Sequence, residues 1–488
     1  MRIVAALLAC LVQAAAAPPS EIDVLIDQAR SLPGEFAADG LIRIAGSEKL
    51  STERKIELLG QAYERAAEAQ QPFKRHAGVN PPGYAAGFIN RAYDQELDGL
   101  SLRLRAIEAM LPLDGRRARQ MLLDLGSPHP PQVACEDLLV YDVSRYYRVL
   151  GRVAAETFTA EEIRKGEPVR LLARFTGTLA SAVEIGPAAL AIAGAKVKDE
   201  DFQALVTAFT GTLRGISGDD RSFSASEQAA AQVQALVVEC RRRQISPLPL
   251  IEGFRLYLVN NLTGKRCADD DLAEPAGQAF GLAANSSSQQ RVGNVVSYFN
   301  DVLEIPPIEP IKPDETVASS VEGKVKLDQP CQDADCRAIR NQFQALFFGE
   351  NLTPHPASYR ETSEFRVKLR DFLSAMAAWK EGGGATPAEY FREKVEVFSQ
   401  LFSLVSADAD RDLVTSAELD YLNQNRFQSE NAIEWFLPVN MLVGQAGMAP
   451  ALRGLAERLR DTQDPITAFY AKLELTLPRS PGEIMPLL

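Results

Sequence analysis

Histidine and tryptophan are scarce in this chain of 488 residues. There are three histidines, His76, His129 and His355, and two tryptophans. Two of the histidines sit in proline-flanked turns, Pro128-His129-Pro130 and Pro354-His355-Pro356. Neither turn sets a second ligand at helical spacing, and the HExxH pattern of zinc peptidases is absent. The GxSxG elbow is missing as well; Gly215-Ile216-Ser217-Gly218 has the wrong spacing. Gly264-Lys265 runs into Arg266 without the upstream glycine of a phosphate-binding loop, and no dinucleotide GxGxxG occurs. Triads and carboxylate pairs that assemble in space are not excluded by any of this. Positive charge is also in deficit. The formal net charge is −13, and such a balance repels a phosphate backbone, so nucleic acid is not an expected partner. The one basic run, Arg241-Arg242-Arg243, reads as the solvated face of a helix.

What is present first is an N-terminal address. Arg2 precedes the apolar run Ile3 to Val12, Ala14 to Ala17 supply small residues, and Pro18-Pro19 ends the segment. This is the plan of a secretory signal peptide, with residues 1–16 removed by cleavage after Ala16. The run is shorter than the about 20 residues that span a bilayer. Leu7-Leu8-Ala9-Cys10 faintly resembles a lipoprotein box, but the segment before Cys10 is very short for one. No later stretch is apolar enough to cross a membrane, so the expected product is a periplasmic or secreted protein without a transmembrane segment.

An oxidising compartment gives the cysteines meaning. Beyond Cys10 there are five, Cys135, Cys240, Cys267, Cys331 and Cys336, so at least one is unpaired in a monomer. Cys240 lies at helical spacing from Val233, Leu236 and Val237 and is expected in the core. Cys135 and Cys267 stand at element ends and can pair. Cys331 and Cys336 are too far apart to bond within one continuous helix, but Pro330 places Cys331 outside it, which allows a local bridge. No histidine stands near a cysteine at zinc-ligand spacing.

Hydrophobic residues make up 46% and charged residues 24%, the balance of a folded globular chain. The apolar period is helical almost throughout. It predicts helices over Lys55 to Gln70, Leu102 to Leu111, Arg116 to Leu125, Asp137 to Val153, Ala229 to Val238 and Phe391 to Val405. Thr159-x-x-Glu162, Ser224-x-x-Glu227, Ser358-x-x-Glu361 and Thr386-x-x-Glu389 read as capping boxes, the last with Pro387 at the first helical position. Val321 to Leu327 is the single candidate strand. Short helices on short loops, many in pairs, predict an all-α fold, an irregular antiparallel helix-pair array of α-solenoid type with up to two helical domains. No fixed period repeats. Residues 306–330 carry four prolines within eight residues and read as a linker or strap. It separates an N-terminal helical domain, 17–305, from a C-terminal one, 331–488.

Asp408, Asp410, Asp412 and Glu418 form the strongest local ion-binding candidate, a degenerate EF-hand-like set that would take calcium. The glycine of that loop is missing and Glu418 arrives one residue early, so the competing reading is a helix start, with Thr415-x-x-Glu418 a capping box of its own. Asp269-Asp270-Asp271 reads as a solvated loop. Tyr141, Tyr146 and Tyr147 can be drawn as a ligand groove, but on one helix with Leu139, Val143 and Leu150 they read better as core. Asn261-Leu-Thr263 and Asn351-Leu-Thr353 match the glycosylation pattern, taken here as coincidence.

At Cys135-Glu-Asp-Leu-Leu-Val-Tyr-Asp142, Arg266-Cys267-Ala-Asp269 and Glu434-Trp435-Phe436 the chain resembles a group of exported, all-helical bacterial proteins. That resemblance implies no activity. It favours a Cys135–Cys267 pair and disfavours calcium. The expected function is therefore a scaffold that binds a protein or peptide, with no cofactor and no catalytic residue assigned. The alternatives are a polysaccharide-active enzyme on a helical toroid and a calcium-stabilised structural protein.

Overall fold

The computed structural model describes residues 20–77, 84–134, 137, 139–216, 222, 226–263, 265–267, 296–303, 308–312, 319–321, 333–349, 353–380, 382, 386–405, 407–426, 432–448, 453–480 and 482. The N-terminal segment 1–16, the box at Ser224 and the cysteines Cys135 and Cys331 lie outside these residues. The fold is all-α, as the periodicity requires, with twenty α-helices among the described residues.

The first helices are α1 (Glu21–Arg30), α2 (Gly34–Ala45), α3 (Thr52–Arg65), α4 (Tyr84–Asp94), α5 (Gly99–Met110), α6 (Gly115–Leu125) and α7 (Ser144–Glu156). Then come α8 (Ala160–Arg164), α9 (Glu167–Thr176), α10 (Ala182–Ala193), α11 (Asp199–Leu213), α12 (Ser226–Arg242) and α13 (Leu248–Thr263). Their starts follow local chemistry. Thr159 and Thr386 each accept from the backbone of a glutamate three residues on, Glu162 and Glu389, whose carboxylate returns the bond. A further reciprocal box, Ser20 with Asp23, starts α1, and at α10 the Glu184 carboxylate accepts from the backbone N–H groups of Ala180 at 2.8 Å and Ser181 at 3.0 Å. Each satisfies donors that the first helical turn leaves orphaned. Ser358 does not cap an α-helix: Ala357–Glu361 is a 3₁₀ turn, and Thr362 caps the helix that follows.

Asp137 to Val153 is not one helix. Leu139–Asp142 forms strand β2, which pairs antiparallel with β1 (Lys74–Ala77), and α7 begins only at Ser144. The run alternates as well as it repeats at helical spacing, and the tertiary partner decides. A second small sheet pairs β3 (Lys265–Cys267) in parallel with β4 (Ser319–Val321), which overlaps the expected strand at Val321 alone; residues 322–327 lie outside the description.

The C-terminal helices are α14 (Ala334–Phe347), α15 (Ser363–Ala378), α16 (Pro387–Leu404), α17 (Asp408–Gln424), α18 (Ala432–Met448), α19 (Arg453–Arg460) and α20 (Pro465–Thr476). They return to the start of the chain. α20 packs on α1 and α2, while α16 and α18 pack on α4. Gly40 on α2 makes the first closure possible, because an added Cβ would stand 2.7 Å from the Phe469 ring. Phe36, Phe436 and Tyr470 meet edge to face or tilted at centroid distances of 4.5–6.3 Å. One hydrophobic core therefore runs through both halves of the chain. The described part of the proline-rich segment is docked. Ile308 and Ile311 are buried, Arg255 Nε donates to the Glu309 carbonyl at 2.9 Å, and Asn300 clasps the Ile311 backbone through both of its amide atoms.

Candidate functional site, an aromatic cleft around Lys394

Helix α16 carries Tyr390, Phe391, Lys394 and Phe398 at three- and four-residue spacing, so these four share one face. In an apolar stripe, a lysine is the residue out of place. Lys394 is only 3% exposed, yet its flank opens on a cleft of about 1150 Å³ that continues into solvent. α15 contributes Leu373 and Ala377, the turn after it Trp379 and Lys380, and α17 Ala417, Asp420, Tyr421, Gln424 and Asn425. α15 and α16 both pack on α17, which sets the three walls.

Within the cleft, Lys394 Nζ donates to the Trp379 carbonyl and to Tyr390 Oη, both at 3.1 Å. Tyr390 Oη donates to the same Trp379 carbonyl. The ammonium also stands over three rings, Tyr421 at 4.6 Å, Tyr390 at 5.4 Å and Trp379 at 5.9 Å. Their π faces supply only part of the attraction that a carboxylate would give. No carboxylate among the described residues pairs with it. Burial accordingly lowers the amine to about 8. Trp379 adds a second open valence: its indole Nε1 is buried and has no hydrogen-bond partner. Asp420 is the one carboxylate lining the cleft among the described residues, and it is exposed. An amine, an indole N–H and a phenol set among aromatic walls are equipped to hold an apolar body with an oxygen acceptor at one end.

The cleft is anchored from behind. Arg392 Nε donates to Glu434 of α18 at 2.7 Å, and Arg91 of α4 reaches Glu396 at 3.2 Å. Both tie the outer faces of α16 to the N-terminal helices and their partners.

Of the residues proposed for an ion, the structure sets all four on one helix. α17 begins at Asp408 with Ala407 as its cap, so the helix start lies there and Thr415 is in its interior. Asp408 is 3.8 Å from Arg411, Asp410 3.5 Å from Arg366, and Asp412 2.5 Å from Arg458. Glu418 is buried and has no hydrogen-bond partner at Oε2; burial raises its carboxyl to about 8, which keeps it neutral. Among the described residues no group of three or more acidic, histidine or cysteine side chains converges on one point.

Cys336, in the first turn of α14, is disulfide-bonded. Cys240 is free and fully buried, as its spacing implies. The tyrosines divide. Tyr146 and Tyr147 are core, bonded to the Gly126 carbonyl and to Glu184 at 2.8 Å each. Tyr141 lies on β2, and with His76, Asp142, Ser144 and Gln232 it lines a second, smaller cleft of about 580 Å³. Burial depresses the His76 imidazole. Asn261 of the first sequon is buried and bonded to the Tyr257 carbonyl. Arg242 and Arg243 both chelate Glu239, and Arg243 also reaches three groups at the start of α11, so two of the three basic-run residues are spent on local structure. Among the described residues no helix is long and apolar enough to cross a membrane.

No protein-family model, no curated protein and no solved structure matches the chain.

Proposed function

We propose that the chain is an exported binding protein whose α15–α17 cleft holds a ligand with an aromatic or aliphatic body and an oxygen acceptor facing Lys394. The observation that carries this reading is a buried amine with no carboxylate partner among the described residues, at the wall of an open aromatic cleft. An uncompensated buried cation costs stability. A ligand that brings an acceptor oxygen offsets that cost on binding, and its apolar part covers the rings, so the site favours occupancy. The ligand is the side chain or terminus of a peptide or protein partner, or a small molecule of the same chemistry. Asp420, the one lining carboxylate among the described residues, gives no support to a two-carboxylate polysaccharide enzyme in this cleft.

Export follows from residues 1–16. Expressed in a bacterial host, the mature protein is expected in the periplasm with Ala17 at its N-terminus; N-terminal sequencing of a cytoplasmic product beginning at Met1 would contradict this.

Binding is tested with 8-anilinonaphthalene-1-sulfonate, an aromatic anion of the required shape. In a Trp435→Phe variant Trp379 is the sole tryptophan. Saturable quenching of Trp379 emission by the probe is expected. Emission that stays unchanged, on a variant whose far-ultraviolet circular dichroism matches the parent, overturns the reading.

A further inference from the structure

We propose that Lys394 is a covalent ligand-capturing residue, condensing through Nζ with an aldehyde or ketone held in the aromatic cleft to form an imine. The inference rests on the reading of the cleft as a ligand site and assigns the class of ligand it takes.

The geometry around the nitrogen carries it. Nζ has two hydrogen-bond acceptors, the Trp379 carbonyl and Tyr390 Oη at 3.1 Å each. A neutral amine has two N–H bonds. With both directed at these acceptors, the remaining tetrahedral position is the lone pair, and no hydrogen bond among the described residues occupies it. Most surface lysines are protonated, hydrated and free to rotate. This one is held at its tip, is shielded from water, and lines a cleft whose walls are Trp379, Tyr390, Phe391, Phe398 and Tyr421. Such walls seat the apolar part of a carbonyl compound. The depressed basicity of the amine supplies neutral nucleophile near neutral pH, the condition that lysine nucleophiles meet by desolvation. The charged and titratable groups around it are Tyr390 on its own helix, Tyr421 and Asp420 on α17, and Lys380 in the turn after α15. None is a carboxylate in contact with Nζ.

The step balances without a redox partner. Nζ attacks the carbonyl carbon and a C–N bond forms. The oxygen takes one proton from nitrogen to give a carbinolamine. The C–O bond then breaks, the oxygen leaves as water with the second nitrogen proton, and a C=N bond remains. The Tyr390 hydroxyl, 3.1 Å from Nζ, is placed to pass a proton to the departing oxygen. Hydrolysis reverses the sequence and releases the ligand.

The test uses the full chain with benzaldehyde and sodium cyanoborohydride at neutral pH, followed by peptide mapping by mass spectrometry. Lys394 is expected to be benzylated at least about tenfold faster than exposed Lys49. In Lys394→Met that fast phase is expected to vanish, and in Tyr390→Phe to slow. Labelling of Lys394 no faster than that of Lys49, on protein that still binds 8-anilinonaphthalene-1-sulfonate in the cleft, overturns imine capture and leaves the binding reading standing. Protein that fails to bind the sulfonate and fails to label overturns both.

Discussion

Tyr470, near the end of the chain, donates its hydroxyl to Asp39 of α2 at 2.7 Å, and Arg105 reaches the other oxygen of the same carboxylate at 2.6 Å. Burial opposes the Asp39 charge, but Arg105, Arg43 and the Tyr470 hydroxyl together outweigh it and hold the carboxyl below its ordinary range. Glu474 extends the network, accepting from Arg43 at 3.0 Å and from Arg479 at 2.8 Å. Asp39→Asn leaves the half-buried Arg105 without its counter-ion and is expected to cost about 3 kcal/mol, and Tyr470→Phe about 1–3 kcal/mol, by urea denaturation. Because the folded carboxyl is the stronger acid, its contribution is present above pH 3.8 and is lost as pH falls through the folded value. Unchanged midpoints in both variants would mean the termini are not held by this network.

Lys394 behaves in the opposite sense. Its folded value near 8 lies below the ordinary 10.5, so between them the unfolded chain binds a proton that the folded chain does not. Its cost to stability is full below pH 8 and fades as pH rises toward 10.5. Lys394→Met keeps the volume and removes the charge, and the Trp379 carbonyl retains the Tyr390 hydroxyl. The variant is expected to be about 1–2 kcal/mol more stable at pH 7, with the gain shrinking above pH 8. A destabilised variant would contradict the account of Lys394 as an uncompensated buried cation.

Glu418 titrates with the reverse sign. Burial raises its carboxyl from 4.5 to about 8. Its protonated form is favoured in the fold, so stability from this group is full below pH 4.5 and is lost as pH rises through 8. Glu418→Gln, neutral at every pH, is expected to flatten the stability profile over that window and to be more stable than the parent at pH 9. If instead the parent gains stability with calcium and Glu418→Gln loses that gain, the carboxylate is an ion ligand.

Cys336 is bonded while Cys240 is free. We propose Cys331 as the partner, since it precedes Asp333, the cap of α14, in the sequence. Non-reducing peptide mapping is expected to recover a Cys331–Cys336 loop and an alkylated Cys240. A peptide joining Cys336 to Cys135 or Cys267 would contradict it.

Much of the fold was legible because helix starts and apolar faces are local. Thr159 with Glu162 and Thr386 with Glu389 cap where the sequence places them, and α5, α6 and α16 lie within a few residues of the expected spans. Tyr141 was not, because residues 139–142 suit a strand as well as a helix, and only pairing with Lys74–Ala77 decides. The four-residue acidic set resembles an ion-binding loop, but Asp408 and Asp410 stabilise the positive end of a helix, which then carries all four. Lys394 was missed although its signal was present: a lysine at i+3 and i+4 from Phe391 and Tyr390 and four before Phe398 stands in the apolar stripe. What the stripe could not give was the cleft, since Trp379 and Tyr421 come from other elements.

The measurement that tests the central claim most directly is a fluorescence titration of 8-anilinonaphthalene-1-sulfonate into the parent protein, Lys394→Met and Tyr421→Ala at pH 7. The account predicts one saturable site in the parent, weakened at least about tenfold in each variant, or about 1.4 kcal/mol. Equal affinity in all three proteins, each folded by circular dichroism, would contradict it.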